Sequence, residues 1–197
     1  MKKYSSSNLT LTGLEEFEKT LVDPTQVELY KTIILPNISH DPLSHVLNKR
    51  YFLEKFLNEY QRAKNQNYPD GFAFILVGIN EFDIISKMED NTEEAVLSKT
   101  GKLLKKSFRN KDIIGRFSEY CFSILLVEVY QEIAIRRAKD LIFLYSKEEM
   151  DGLYFSISTG MAYFDGDNYT RPFQIIEKAE EKLNKSIHRA GSNEPVY

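Results

Sequence analysis

The apolar positions of the chain fall into runs typical of buried strands and one hairpin. The unbroken apolar run Phe72–Ile79 predicts a strand buried on both faces, at the centre of a sheet covered by helices. Leu153–Phe164 alternates well enough for a second strand, and Gly160 within it indicates either close approach of another backbone or a bulge. Two short apolar runs at 112–117 and 120–127 flank a polar tip and predict a β-hairpin. The pattern therefore predicts a sheet built around residues 72–79.

Stretches whose apolar residues have helical spacing lie before, between and after these strands. Four stretches carry it: Lys49–Tyr60, Asn91–Phe108, Tyr130–Tyr145 and Pro172 to about Arg189. The order of elements is helix, strand, helix, hairpin, helix, strand, helix. This order predicts an α/β architecture, with a mixed sheet flanked by helices.

The first part of the chain reads as a separate helical extension. Leu11–Val22 has amphipathic spacing, and Asp23-Pro24 fits a helix start that leads to Ile34. We therefore divide the chain into a helical extension at 1–39 and a domain at 40–197. The extension either packs on the domain or serves as a docking or dimerisation element.

Composition excludes several classes of protein. The 197 residues carry 26 Lys and Arg against 29 Asp and Glu, a net charge of −3 that gives no support to nucleic-acid binding or to a membrane surface. No apolar run is long enough to span a bilayer, so we expect a cytoplasmic protein without membrane insertion. The single Cys121 and the three scattered His exclude a disulfide framework and a metal site of several cysteines.

From about His40 onward the chain resembles the GGDEF domain of bacterial diguanylate cyclases. DPLSHVLNKRYF is similar to the family's D-x-L-T-G-L-x-N-R-R-x-F, and FILVGINEF to its strand L-x-D-x-D-x-F. RNKDIIGRF is similar to the segment R-x-x-D-x-x-x-R-Y/F that precedes the signature hairpin, and FSISTGMA and AEEKLNKSIHRAGSN to its last strand and closing helix. The resemblance implies a palm-like nucleotide-cyclase fold, with a central sheet of about five strands.

The catalytic positions depart from the family pattern. Tip residues 118–122 read S-E-Y-C-F where the family has G-G-D/E-E-F, so Tyr120 and Cys121 replace the acidic pair. By the same resemblance Gly78 stands at the metal-binding Asp of the strand and Asn80 at the second acidic position. Asp83 replaces a phosphate-contacting Lys and Ser86 a guanine-reading Asn. Other aligned positions are Ile187, in place of a closing-helix Lys, and Glu94, in place of a guanine-contacting Asp.

These substitutions predict that the protein is not an enzyme. Mg²⁺ needs hard oxygen ligands, usually carboxylates, and phosphoryl transfer depends almost wholly on the metal and on positioning. A glycine, an asparagine, a tyrosine and a thiol do not supply such a ligand set. We therefore expect no catalytic residue, no bound metal and no cofactor.

A second site of the family retains its residue types. Arg109 and Asp112 match the R-x-x-D motif, which in family members binds cyclic di-GMP outside the active site. An Arg fork can reach guanine O6 and N7, and a carboxylate can accept from the N–H groups of the base. The position of a further family Arg holds Asp140, and Arg136 and Arg137, one turn earlier, are candidates to replace it. The bland interpretation is a surface ion pair between Arg109 and Asp112.

Three hypotheses of function follow. The leading one is a non-enzymatic cyclic di-GMP receptor that senses the dinucleotide through Arg109 and Asp112 and signals to an unidentified protein partner. The alternative is a ligand-independent interaction scaffold, and a third reading keeps GTP as an allosteric ligand. The partner could contact the N-terminal helices, and the sequence leaves a homodimer open.

Overall fold

The computed structural model describes residues 39–65, 71–88, 92–147, 149–150 and 153–188. The predicted extension at 1–39 lies almost wholly outside the described residues. Five helices occupy these ranges, α1 (Lys49–Asn65), α2 (Phe82–Ile85), α3 (Thr92–Ser107), α4 (Gln131–Tyr145) and α5 (Pro172–His188). The strands are β1 (Phe72–Ile79), β2 (Ile113–Arg116), β3 (Cys121–Val127), β4 (Glu149–Met150), β5 (Leu153–Tyr154) and β6 (Ile157–Phe164). No helix within these ranges has the length and apolar character required to cross a bilayer.

The main sheet has four strands in the order β2-β3-β1-β6, all paired antiparallel. A single parallel bridge joins Leu47 to Gly115 at the β2 edge, where Leu47 N donates to Ile114 O over 3.1 Å. The described part of the chain therefore has four strands in this sheet where about five were expected, and its one parallel pairing is this bridge. The remaining strands, β4 and β5, form a separate two-stranded ribbon.

Strand β1 has the predicted bounds and lies between two neighbours. Its apolar side chains alternate between two clusters, as the period of two along a strand requires. Ala73, Ile75 and Val77 pack with α3 and α4, whereas Phe72, Phe74 and Leu76 pack with α1 and α5. All eight residues of β1 are buried, so the sheet is covered on both faces and its ends are left for function.

The strand predicted at Leu153–Phe164 is interrupted. β1 ends at Ile79, which pairs with Ile157, so the residues before Ile157 have no β1 partner. Leu153 and Tyr154 pair instead with Met150 and Glu149.

Gly160 makes the close approach that the sequence predicted. A Cβ atom at this position would lie 2.1 Å from the carbonyl oxygen of Ala179 and 2.3 Å from the backbone nitrogen of Leu183. The backbone of α5 therefore lies directly on β6. Lys182, on the same helix, donates to Met161 O over 2.8 Å.

Candidate functional site

The hairpin tip is held by one arginine. Phe117 N and Ser118 N both donate to Cys121 O, at 2.7 and 3.0 Å, and close the connection between β2 and β3. Arg116, the last residue of β2, donates from Nη2 to Glu119 O over 2.8 Å and from Nε to Ser118 O over 3.2 Å. Because these acceptors are backbone carbonyls, the bonds hold the backbone conformation of the tip and do not depend on the identity of its side chains.

The same guanidinium reaches the turn that precedes α1. Arg116 Nη1 lies 3.2 Å from Asp41 Oδ1, and Asp41 also accepts from Ser44 N at 2.8 Å and from Ser44 Oγ at 2.6 Å. Burial alone would raise the pKa of Asp41, but the Ser44 bonds and the Arg116 charge together lower that pKa below its ordinary value. Asp41 therefore turns the chain and is also an ion-pair partner of the hairpin, which the sequence analysis missed. Asn48 caps α1 by accepting from Tyr51 N at 3.0 Å.

A cavity of about 400 Å³ lies beside this tip. We call it the tip cavity; its lining residues are Ile79, Asn80, Glu81, Phe82, Asp83, Ser86, Glu119, Tyr120 and Ile187. The structure thus brings together six of the positions that the resemblance singled out, from the end of β1, the α2 segment, the hairpin and α5. Glu94, on α3, is exposed and does not line the cavity.

Residues at the end of β1 have ordinary structural partners. Asn80 Nδ2 donates to Ser156 Oγ and Asn80 Oδ1 accepts from Ser158 Oγ, each over 2.8 Å. The nearest atom to a Cβ built on Gly78 would be Leu183 Cδ1, at 3.4 Å, followed by Ile187 Cδ1 at 3.7 Å. The Asn80 amide is therefore bonded to the region of β6, and the space in front of Gly78 is bordered by apolar side chains.

The two tip residues that replace the acidic pair differ in exposure. Cys121 is 4% exposed, and burial raises the pKa of its thiol to about 12. Tyr120 is 44% exposed, and its ring lies 6.3 Å from the ring of Phe82 at the cavity wall. Cys121 is thus a small buried apolar group, and Tyr120 packs at the cavity wall.

The side chains of the tip cavity do not fit the metal ions that the family fold implies. Gly78 offers no ligand atom, Asn80 is bonded to two serines, and the Cys121 thiol is buried and held protonated. Among the described residues, no three His, Cys, Asp or Glu side chains converge well enough to hold a metal. Hard cations require several converging oxygens, which the carboxylates around this cavity do not provide.

Arg109 and Asp112 line a second cavity, of about 380 Å³. We call it the RxxD cavity; its lining residues are His40, Leu47, Lys55, Lys105, Arg109, Asn110, Asp112, Ile113 and Ile114. Asp112 N donates to Arg109 O and Arg109 N donates to Asp112 Oδ2, each over 3.0 Å. The pair therefore forms a reciprocal turn through the backbone, and no ion pair between the two side chains occurs in the described ranges.

Arg136 and Arg137 lie on α4. Arg137 lines a third cavity together with Asp140, Phe108 and Phe143, whereas Arg136 is exposed and lines none of the cavities described here. The structure therefore brings Arg109 and Asp112 together and places Arg137 in a separate cavity. In the described chain, the additional cations that share a cavity with Arg109 are Lys55, from α1, and Lys105, from α3. The sequence analysis missed both lysines, because neither belongs to a motif.

The four-stranded antiparallel sheet, with helices on both faces and a hairpin tip beside a cavity, defines a palm-like α/β domain of the nucleotide-cyclase class. The chain belongs to the GGDEF family: the family described as "Diguanylate cyclase, GGDEF domain" matches residues 38–194. The resemblance seen in the sequence is thereby confirmed.

Known proteins of this family share the sequence pattern at low identity. The chain is 24% identical over 159 residues to the diguanylate cyclase DosC of Escherichia coli K12, a match that covers 77% of this chain and 34% of DosC. The chain therefore spans about a third of the length of that relative.

Solved structures share the fold. The coiled coil and GGDEF domain of DgcB from Caulobacter crescentus, solved in complex with c-di-GMP, matches with a TM-score of 0.78 at 12% identity, over 93% of this chain and 97% of that one. The diguanylate cyclase SiaD of Pseudomonas aeruginosa, solved with its activator SiaC, matches with a TM-score of 0.72 at 18% identity, over 94% and 73% of the two chains.

Proposed function

We propose that this GGDEF domain is a non-enzymatic receptor for cyclic di-GMP, which binds in the RxxD cavity and signals to a protein partner. The observation that carries the proposal is that Arg109 and Asp112 line one cavity with two further cations. Cyclic di-GMP offers two guanine edges and two phosphates, and the cavity offers groups for both. The DgcB structure, which contains this dinucleotide, has the same fold.

Guanine recognition falls to Arg109 and Asp112. The exposed guanidinium of Arg109 is available for the O6 and N7 acceptors of the base. Asp112 uses Oδ2 to hold the Arg109 backbone, which leaves Oδ1 to accept from the base N–H groups. The reciprocal turn keeps the carboxylate in place before the ligand arrives, and this reduces the entropy lost on binding.

Phosphate recognition falls to Lys55 and Lys105. With Arg109 they supply three positive charges to the cavity wall, against the single carboxylate of Asp112. Lys105 Nζ donates to His45 O, so that its ammonium is already held at the cavity. Lysine ammonium groups bind phosphates as point charges, which makes these contacts sensitive to salt. In this proposal the two lysines supply part of the positive charge that family members obtain from the arginine at the position of Asp140.

In this proposal the protein does not catalyse cyclic di-GMP synthesis, because the family's metal-binding carboxylates are missing at the tip cavity. Gly78, Asn80, Tyr120 and Cys121 supply no carboxylate to hold Mg²⁺ against two triphosphates. Glu81, Asp83 and Glu119 line the cavity instead and repel phosphate groups. Incubation of the protein with GTP and Mg²⁺, followed by chromatography of the nucleotides, should show GTP unchanged. Formation of cyclic di-GMP would refute this part of the proposal.

The binding test is a calorimetric titration with cyclic di-GMP. We expect a low-micromolar or tighter Kd for the wild-type protein and loss of at least about tenfold in affinity for Arg109→Ala, since a bidentate contact to guanine is lost. The Lys55→Ala, Lys105→Ala double variant should bind more weakly and with a smaller salt dependence. Arg136→Ala is the matched control and should bind as the wild type does. No heat with the wild-type protein would refute the proposal, and unchanged binding by Arg109→Ala would place the site elsewhere.

A ligand-independent scaffold is the second candidate, and exposed aromatic rings favour it. Tyr130, before α4, and Phe143, on α4, are 58% and 62% exposed. Large apolar side chains at the surface are common in protein interfaces. A partner retained by the Arg109→Ala, Asp112→Ala double variant without nucleotide would favour the scaffold over the receptor.

A further inference from the structure

Three exposed apolar side chains belong to the two segments that line the tip cavity, and we call them the patch. Tyr120 at the hairpin tip is 44% exposed, and the α2 segment beside the cavity exposes Ile84 (54%) and Met88 (45%). These are three of the six large apolar side chains with high exposure in the described part of the chain. Such a patch beside a cavity is a feature of surfaces that bind another protein.

The tip cavity has an apolar lining of its own. Ile79, Phe82 and Ile187 form its apolar lining, and the Tyr120 ring lies over Phe82 at a centroid separation of 6.3 Å. The space of about 400 Å³ can hold one long side chain with part of its backbone. The Tyr120 ring is tilted by 38° to the Phe82 ring, and its exposed part is available to a ligand.

The charged residues that line the cavity are all acidic. Glu81, Asp83 and Glu119 line the cavity, and no Lys or Arg of the described residues does. The carboxylates do not converge as a metal site would require. They stand around an aromatic lining instead, and this combination suits a guanidinium, which pairs with carboxylates at its edges and stacks on an aromatic ring with its face.

We propose that the tip cavity and its patch, Ile84, Met88 and Tyr120, are the docking surface for a protein partner that inserts an arginine from an otherwise apolar segment. The charge of the cavity is complementary to the arginine, and the exposed apolar side chains are complementary to the flanking residues. A surface that in a cyclase would hold the phosphates of GTP thus takes a group of the opposite charge. This inference does not depend on cyclic di-GMP, because the RxxD cavity is lined by different residues.

Peptide binding tests the inference. The probe is a short fluorescein-labelled peptide of alternating arginine and leucine, and a peptide with glutamate in place of arginine is its comparison. Fluorescence anisotropy should show the arginine peptide binding to the wild-type protein and the glutamate peptide not binding. The Glu81→Gln, Asp83→Asn, Glu119→Gln variant should bind the arginine peptide at least about tenfold more weakly, since three charge pairs are lost.

A matched control separates local from overall charge. Glu132→Gln, Asp167→Asn and Glu177→Gln remove three exposed carboxylates that do not line the cavity, and this control should bind within about twofold of wild type. Tyr120→Ala should weaken binding without any change of charge, through the lost stacking. Equal losses in the site variant and in the control would overturn the inference, as would failure of the wild-type protein to bind the arginine peptide. Displacement of the peptide by GTP, or self-association that the site variant abolishes, would also overturn it, in favour of a nucleotide or a second copy.

Discussion

Gly78 places a hydrogen atom where the family resemblance puts a carboxylate for the metal. Its neighbours across the gap are Leu183 and Ile187, which are apolar. A carboxylate there would therefore lose part of its hydration without gaining a hydrogen-bond partner or a metal. Two charges of the family pattern are missing together at this place: Gly78 replaces the carboxylate, and Ile187, which borders Gly78, stands where the resemblance expects a lysine.

Gly78→Asp and Gly78→Ala form a matched pair that tests this environment. We expect Gly78→Asp to lower the free energy of unfolding by about 1–3 kcal/mol, the cost of an unpaired polar group near apolar neighbours. Gly78→Ala should be neutral or stabilising by up to about 1 kcal/mol, because glycine is unfavourable inside a strand and a Cβ has room here. Urea unfolding followed by circular dichroism measures both. Equal stability of the two variants would show that the carboxylate is well solvated or paired.

Between elements, the closest packing joins β6 to α5. Gly160 permits this contact, since a side-chain carbon there would overlap the α5 backbone. α5 also contributes Ile187 to the tip cavity, so the position of the helix on the sheet determines one wall of that cavity. The fit of β6 and α5 is therefore a condition for the shape of the site.

Gly160→Ala should be strongly destabilising. A Cβ 2.1 Å from Ala179 O must displace backbone atoms, and overpacking of this kind costs about 3 kcal/mol. The measurement is again urea unfolding, with Gly78→Ala as the control for replacing a strand glycine where space exists. A loss below about 0.5 kcal/mol would mean that α5 can move away from the sheet without penalty.

At the scale of the whole molecule, the sequence predicted the individual helices and strands well. It predicted how they pair and pack against one another less well. Phe72–Ile79 was predicted with its true bounds, because an unbroken apolar run has no other place in a small sheet than its centre. The break before Ile157 could not be predicted, since it depends on where β1, the partner strand, ends. The short helix α2 and the ribbon of β4 and β5 carry too few residues to show a period.

The candidate sites show the same limit. Arg109 and Asp112 are adjacent in a motif, and the sequence identified them together. Lys55 and Lys105, on two different helices, join their cavity only through the tertiary fold. Likewise, the net charge of −3 does not reveal the acidic lining of the tip cavity, because the carboxylates of this lining come from two segments that are distant in the sequence.

The Asp41–Arg116 pair joins such distant segments, and pH tests its contribution to global stability. At neutral pH, Asp41→Asn should lower the free energy of unfolding by about 2 kcal/mol, the usual value for a hydrogen-bonded charge. The pKa of Asp41 in the folded state is below its ordinary value of 3.8. The stabilisation is therefore fully present above that value and is lost as the pH falls through the lower folded pKa.

Urea unfolding at a series of pH values should show the stability difference between wild type and Asp41→Asn shrink in the acid range. Asp167→Asn, an exposed carboxylate in a loop, serves as the control and should stay within about 0.5 kcal/mol of wild type throughout. A difference that persists unchanged at acid pH would mean that the Asp41 charge contributes nothing.

The guanidinium of Arg116 has a mechanical consequence. One of its nitrogens holds the turn at Asp41, directly after the chain enters the described domain, and the others hold the carbonyls of Ser118 and Glu119. A single rigid planar group thus links the turn to the tip, with no intervening residue to absorb a displacement. A displacement of the Asp41 turn would therefore reach the carbonyls of the hairpin tip directly, and Glu119 of that tip lines the cavity where the partner's arginine is proposed to enter.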